Sequence, residues 1–342
     1  MADSPRRALG AWLEAVGFGP IETPWRAVVT RAGMRLRAYG NGAGNRRPLV
    51  IVPAPIKRAY IWDLEPRRSV VRRACAAGFE VYLLEWLEPA GPVLAYGLSD
   101  FVETLVADAV AAACRDAGTN TVLLAGHSLG GTLAAIFAAR HPGRVRGLAL
   151  IEAPLHFAED GGAFAPFVTA GPLAAAASDA LFGVVPGSLL DVMSVTAAPM
   201  TFVVEPILGA FVSGLDPASF ETHLRVRRWT LDEFPLPVSL FADVAVGLYR
   251  DDLFMKGALP VAGRMLGPAD LTAPVLAVVD PDSRLIPPAS VIAFLAASRC
   301  RTRCVVRYTG DVGVTLRHLG ILIGDRAHQR LWPEIFDWLR ST

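Results

Sequence analysis

The chain has 342 residues, 53% of them hydrophobic and 19% charged, with 33 basic and 32 acidic side chains and a net charge of +1. That length suits one large domain or two small ones, and that composition excludes a disordered chain. The even charge balance carries no basic stripe, which speaks against nucleic acid as a partner.

Residues 1–7 lack an apolar core of signal-peptide length, so a cytoplasmic location is expected. Residues 7–17 have helical periodicity, with Ala8, Leu9, Trp12, Leu13 and Val16 on one face. Strands follow at 26–30 and 34–39, split by a turn at Ala32-Gly33. Residues 40–47 are polar and glycine-rich and read as a loop. Strand–helix alternation then begins: strand 49–52, helix 69–77, strand 80–85, helix 100–117, strand 121–125, helix 129–140, strand 145–151. Strands separated by helices predict a parallel sheet with right-handed crossovers. The alternation breaks from about 154 to 270, in a stretch rich in Ala, Gly, Pro and Phe. Its most apolar runs, 163–185 and 199–212, are interrupted by prolines and by Asp179 and Glu205, so neither reads as a membrane span. A helical cap over an apolar pocket is the reading preferred to a membrane-surface patch. Alternation resumes with strand 274–279, helix 288–297, strand 302–308 and helix 324–339. The expected domain plan is a core of 1–154 and 271–342 with a cap inserted over 155–270.

The segment Gly126-His127-Ser128-Leu129-Gly130-Gly131 follows one strand and opens the next helix. This is a G-x-S-x-G nucleophile elbow in its strand–turn–helix context. Glycines on both sides keep bulk away from Ser128 and push its hydroxyl into the open. The helix start behind it offers unpaired N–H groups, with Leu129 N–H aimed at a developing oxyanion.

A serine nucleophile needs a base and a group to orient it. In this architecture the acid follows a later strand and the histidine comes last. Asp282 and Asp280 follow strand 274–279. Asp282, farther into the loop, is preferred, and Asp280 is read as closing the turn. His318 is expected as the base, in a loop after the last strand. The other histidines are set aside. His328 is expected to face solvent, His127 to point away from the serine hydroxyl, His141 to end a helix, and His156 and His223 to be structural or pocket-lining. The second oxyanion donor should lie after strand 49–52, in Pro53-Ala54-Pro55-Ile56. Proline has no N–H, so the donor is Ala54 or Ile56. The four cysteines are scattered and read as reduced thiols; Cys300 and Cys304 have no second pair or nearby histidine, so no metal and no redox cofactor are expected.

Residues 51–64, Ile-Val-Pro-Ala-Pro-Ile-Lys-Arg-Ala-Tyr-Ile-Trp-Asp-Leu, resemble the corresponding stretch of poly(3-hydroxyalkanoate) synthases. Ser69-Val70-Val71-Arg72, Glu85-Trp86, Leu248-Tyr249-Arg250-Asp251-Asp252-Leu253 and the run from His318-Leu319-Gly320 to Trp338-Leu339 continue the match, which covers about 48–340. The resemblance implies an α/β-hydrolase fold and a nucleophile–Asp–His triad falling on Ser128, the Asp282 loop and His318. It also implies a hydrophobic acyl ester or thioester substrate, acyl-CoA included, and a homodimer or a partner subunit. The family's nucleophile is cysteine, where this chain has serine. An oxygen ester is a poorer donor to an incoming alcohol than a thioester, so the serine favours esterase, thioesterase or single acyl transfer over polymerisation. A second departure is His156-Phe157 in place of the family's Asp-Phe. A depolymerase of stored polyester and a non-catalytic interaction subunit are the alternatives.

Overall fold

The computed structural model describes residues 4–40, 47–157, 161–165, 179, 182–311 and 317–342. The glycine-rich loop at 41–46 and most of the apolar run 163–185 lie outside the described residues. Eight strands form one sheet: β1 (Arg26–Arg31), β2 (Met34–Tyr39), β3 (Arg47–Val52), β4 (Phe79–Trp86), β5 (Val122–His127), β6 (Val145–Ile151), β7 (Val275–Val279) and β8 (Arg303–Arg307). Their order is β1-β2-β4-β3-β5-β6-β7-β8. Only the β1/β2 and β2/β4 pairs are antiparallel; β4 through β8 run parallel. All eight strands stand where the apolar runs place them. The middle strands are covered on both faces, which is why they read as continuous hydrophobic stretches.

Alternate residues feed two cores. Val50, Val52 and Leu124 join one; Leu49, Ile51, Leu123 and Ala125 join the other. The first core is covered by α3, in which Leu98–Asp100, Phe101–Val106 and Ala107–Ala117 run on as one helix, and by α4 (Leu129–Arg140). From Gly130 to Ala139 every residue of α4 is buried, as suits a helix that is apolar on all sides. The second core is covered by α2 (Val70–Ala76), whose first turn is capped by Ser69 Oγ accepting from Arg72 N at 2.9 Å, and by the C-terminal helices.

Between β6 and β7 the chain forms α5 (Gly187–Ala197), α6 (Met200–Val204 continuing as Glu205–Ser213), α7 (Pro217–Thr230) and α8 (Val238–Ala242 continuing as Asp243–Arg250). A short hairpin, Leu259–Val261 with Arg264–Leu266, returns the chain to the core. The N-terminal helix α1 (Ser4–Leu13) is tied to this insertion. Arg6 reaches Asp191 at 2.7 Å and Glu233 at 3.1 Å, and Glu14 pairs with Arg228 at 2.7 Å. Among the described residues no single helix is long and apolar enough to cross a membrane. Gly187–Ala197 and Met200–Phe211 reach that length only as a pair bent by 110°.

The chain ends with α9 (Pro288–Ala297), α10 (Arg317–Ile323) and α11 (Ala327–Leu331 continuing as Trp332–Ser341). The helix expected over 324–339 is present, with residues 325 and 326 already helical, and it is set off from α10 by a break at Gly324. Asp311 supplies the reason: its carboxylate accepts from Arg326 N at 2.7 Å and Ala327 N at 3.3 Å. A Cβ on residue 324 would collide with that carboxylate.

His328 does not face solvent as expected. It is 1% exposed. Burial, with Arg73 and Arg68 adding repulsion, pushes its pKa from 6.5 down to about 3. The unfolded chain therefore binds this proton before the folded one does. This group's contribution to stability is complete above pH 6.5 and is lost as pH falls toward 3. At pH 4.5 the loss from this group is about 2–3 kcal/mol. Denaturant unfolding at pH 7 and pH 4.5 should show that drop in the wild type and a smaller one in His328→Leu.

Candidate active site

The sheet register sets four chain segments in a row. Val52 on β3 lies opposite Gly126 on β5, His127 opposite Ile151 on β6, and Ile151 opposite Val278 on β7. The loop after β3, Ser128, Glu152 and Asp280 therefore leave adjacent carboxyl ends of parallel strands. In open α/β sheets that edge is where ligands bind.

Ser128 has φ 54 and ψ −135, a conformation that side chains rarely adopt. The strain marks a tight turn held on all sides. Ser128 N donates to Ile151 O at 3.0 Å, and Ser128 O accepts from Gly131 N at 2.9 Å and Thr132 N at 3.2 Å. The neighbouring glycines are required by contact. A Cβ on Gly130 would enter the backbone of Val52 and Pro53, and one on Gly126 would sit 2.5 Å from Gly131 Cα. As the first residue of α4, Leu129 has no intrahelical partner for its N–H.

Ser128 and His318 line the same cavity, as do Ala54 and Ile56. His318 lies in the first turn of α10 instead of in a loop, and residues 312–316 before it lie outside the described residues. Its Nδ1 meets Glu152 Oε2 at 2.8 Å. This departs from the expectation that Asp282 or Asp280 would hold that nitrogen. Asp282 is exposed. Asp280 is buried, and its Oδ1 accepts from Asp282 N at 3.0 Å, so it closes the turn after β7. Glu152 is 3% exposed and has φ 42, a second left-handed non-glycine residue at a strand end. Its own N–H is held by Val278 O at 2.9 Å. Sequence reasoning passed over Glu152. The available signal was a carboxylate directly after the apolar run 145–151, one strand beyond the serine.

The cavity encloses about 1150 Å³, its mouth included. Its lining includes the apolar side chains of Ile61, Trp62, Leu190, Phe202 and Leu285 and the charged residues Lys57, Asp191, Arg227 and Glu233. Lys57 Nζ donates to Glu233 Oε1 at 2.6 Å and to Thr230 O at 2.8 Å. Burial pushes the Lys57 amine down and the Glu233 carboxyl up, and their mutual attraction opposes both shifts. Phe234 N donates to Ile56 O at 3.4 Å and Trp229 Nε1 to Arg58 O at 2.8 Å. The inserted segment thus fastens directly to the loop that carries Ala54 and Ile56.

Residues His156-Phe157 and Tyr249-Arg250-Asp251-Asp252 meet at the root of the insertion. His156 Nδ1 is 2.6 Å from Asp252 Oδ2, Phe157 N donates to Asp252 Oδ1 at 3.0 Å, and the Phe157 and Tyr249 rings stack edge-on at 4.8 Å. His141 pairs with Glu103 at 2.9 Å, and His223 is buried and stacks with Phe220.

Comparison with known proteins agrees with the fold. Residues 73–179 match the family described as alpha/beta hydrolase fold. Among solved structures, a monoacylglycerol lipase from Paleococcus ferrophilus superposes with a TM-score of 0.55 at 14% identity, covering 90% of this chain and 98% of that one. An enol-lactonase from Burkholderia xenovorans LB400 gives 0.54 at 18% identity, covering 93% and 100%. At such identities these likenesses show the fold alone. The chain has the α/β-hydrolase fold. In sequence it is similar to poly(3-hydroxyalkanoate) polymerases. It is 29% identical to the polymerase subunit PhaC of Haloferax mediterranei over 93% of this chain, and 25% identical to that of Thiocystis violacea over 93% of this chain and 88% of the relative. The chain spans 64% of the Haloferax relative and 61% of the Haloarcula marismortui one.

Proposed function

We propose that this protein transfers acyl groups through an ester on Ser128, taking hydrophobic acyl esters or thioesters and releasing the acyl group to water or a hydroxyl. The observation that carries the reading is the strained Ser128 lining one cavity with His318, whose Nδ1 is held by a buried carboxylate. A carboxylate only accepts, so Glu152 fixes the proton on Nδ1 and leaves the Nε2 lone pair for the serine. His318 takes the Ser128 proton as the hydroxyl oxygen bonds to the acyl carbon. The negative charge moves to the carbonyl oxygen, which Leu129 N–H and the N–H of Ala54 or Ile56 stabilise. Protonated His318 then gives its proton to the departing alcohol or thiol, leaving acyl-Ser128. Water or an incoming hydroxyl repeats the sequence, with His318 again accepting and then returning a proton to Ser128.

The apolar lining of the cavity suits the acyl chain, and the likeness to the polymerases favours a 3-hydroxyacyl group. The polymerase-like second reading rests on the same likeness: there the acceptor is the hydroxyl of another 3-hydroxyacyl unit. The inserted helices act in both readings as a cap over the cavity. The test is to give purified protein and Ser128→Ala a 3-hydroxyacyl thioester and follow quenched intact mass and products. An adduct on wild type alone with free acid establishes hydrolysis, and oligomers or a new ester establish transfer. No adduct and no turnover across short and long acyl chains would overturn the proposal.

A further inference from the structure

His127 has no role in the scheme above, yet its placement is specific. It closes β5 immediately before Ser128, and its ring is buried. That ring lies 4.2 Å from the His318 ring, centroid to centroid, with the planes 33° apart. Its Nε2 is 3.1 Å from the backbone carbonyl oxygen of His318. A carbonyl only accepts, so His127 Nε2 carries the proton and donates. This tautomer spends on backbone the nitrogen that a catalytic base would need free.

The contact falls where support is scarce. α10 has seven residues, too few to hold itself in water, so contacts from the rest of the fold decide where His318 sits. The register that puts His127 opposite Ile151 puts Glu152 one residue further on, so adjacent strand ends reach His318 from two directions. We propose that His127 is a positioning residue for His318: its Nε2–H anchors the His318 carbonyl while its ring packs on the His318 imidazole. The proposal rests on the reading that His318 is the base for Ser128. Burial and the neighbouring His318 ring hold His127 well below the ordinary histidine range, so it stays neutral beside a ring that must become charged. His127, Glu152 and His318 also bring ligating atoms within 4.8 Å of one another. Two hydrogen bonds among them account for that proximity without a metal.

Three variants separate the hydrogen bond from the ring. His127→Gln keeps an N–H donor, His127→Phe keeps a flat ring without the donor, and His127→Ala loses both. Each is checked by thermal melting, then assayed with an activated acyl ester. The His318 Nδ1 proton, bound to Glu152, is followed as a low-field NMR resonance. His127→Phe should lower kcat about 10- to 100-fold with KM near wild type, the scale of a base displaced by a fraction of an ångström. His127→Gln should recover most of that loss and keep the low-field resonance, which His127→Phe should broaden or lose. Wild-type kcat in a folded His127→Phe, or equal loss in the Gln and Phe variants, would overturn the positioning role. A fluorophosphonate probe keeps this apart from the underlying reading. Labelling of wild type but not Ser128→Ala upholds acyl-Ser128 whatever the His127 variants do, and labelling that survives Ser128→Ala sinks both.

Discussion

Glu152→Gln should lower kcat/KM about 10³- to 10⁴-fold, whereas Asp282→Asn should leave it within about 3-fold of wild type. The amide has almost the shape of the carboxylate, so the loss is chemical and not one of packing. Glu152 can only accept a proton, and it meets His318 Nδ1 at 2.8 Å. Glutamine can also donate, which permits the tautomer with its proton on Nε2, and that tautomer cannot take a proton from Ser128. It also withdraws the negative charge that stabilises imidazolium as the serine is deprotonated. Both effects fall on the transition state, so kcat should drop while KM stays close to wild type. The predicted loss corresponds to about 4–5.5 kcal/mol. Steady-state kinetics on the two variants decides between the carboxylates: a large loss in Asp282→Asn with little in Glu152→Gln would return the role to the loop after β7.

The difference between these acids shows what a single sequence can and cannot carry. The eight strands were legible because each buried strand writes its apolar run locally, as in 145–151 and 275–279. The elbow was legible because its motif is contiguous in sequence, although only Gly126 is forced by residues close by; a Cβ on Gly130 would strike the end of β3 and one on Gly131 the Ala153 side chain. Glu152 and His318 are 166 residues apart, and nothing local to either states that they touch. Their contact follows from the β5–β6 register and from where α10 begins. The cap of α11 was hidden in the same way, since it is Asp311, on the far side of α10. The inserted helices were illegible for another reason. Ile207, Leu208 and Phe211 of α6 are exposed, so apolar spacing there does not mark a buried face.

Among the described residues, two of the four non-glycine residues with positive φ are Ser128 and Glu152, at neighbouring strand ends. Such conformations cost about 1–3 kcal/mol each and persist where the surroundings enforce them. Here the enforcing groups are backbone: Ile151 O on Ser128 N, and Val278 O on Glu152 N. Each turn sends its side chain off the strand end toward His318 or the cavity it faces. Function thus opposes stability at these two positions.

Ser128 should reveal that opposition most directly. Ser128→Ala and Ser128→Gly should both abolish acyl adduct formation, with turnover reduced about 10⁴- to 10⁶-fold, since nothing else at the elbow replaces the hydroxyl. Their stabilities should then diverge. Alanine keeps the Cβ that makes φ 54 costly, so Ser128→Ala should unfold near the wild-type midpoint. Glycine adopts positive φ without that penalty. It also gives the unfolded chain more freedom, which offsets part of the gain. The net expectation is that Ser128→Gly is more stable than Ser128→Ala by about 1 kcal/mol, the reverse of their order at an ordinary helix or strand position. Paired denaturant titrations measure the difference directly. If glycine is the less stable of the two, the elbow carries no strain for it to relieve, and the exposed serine is held at no cost to the fold.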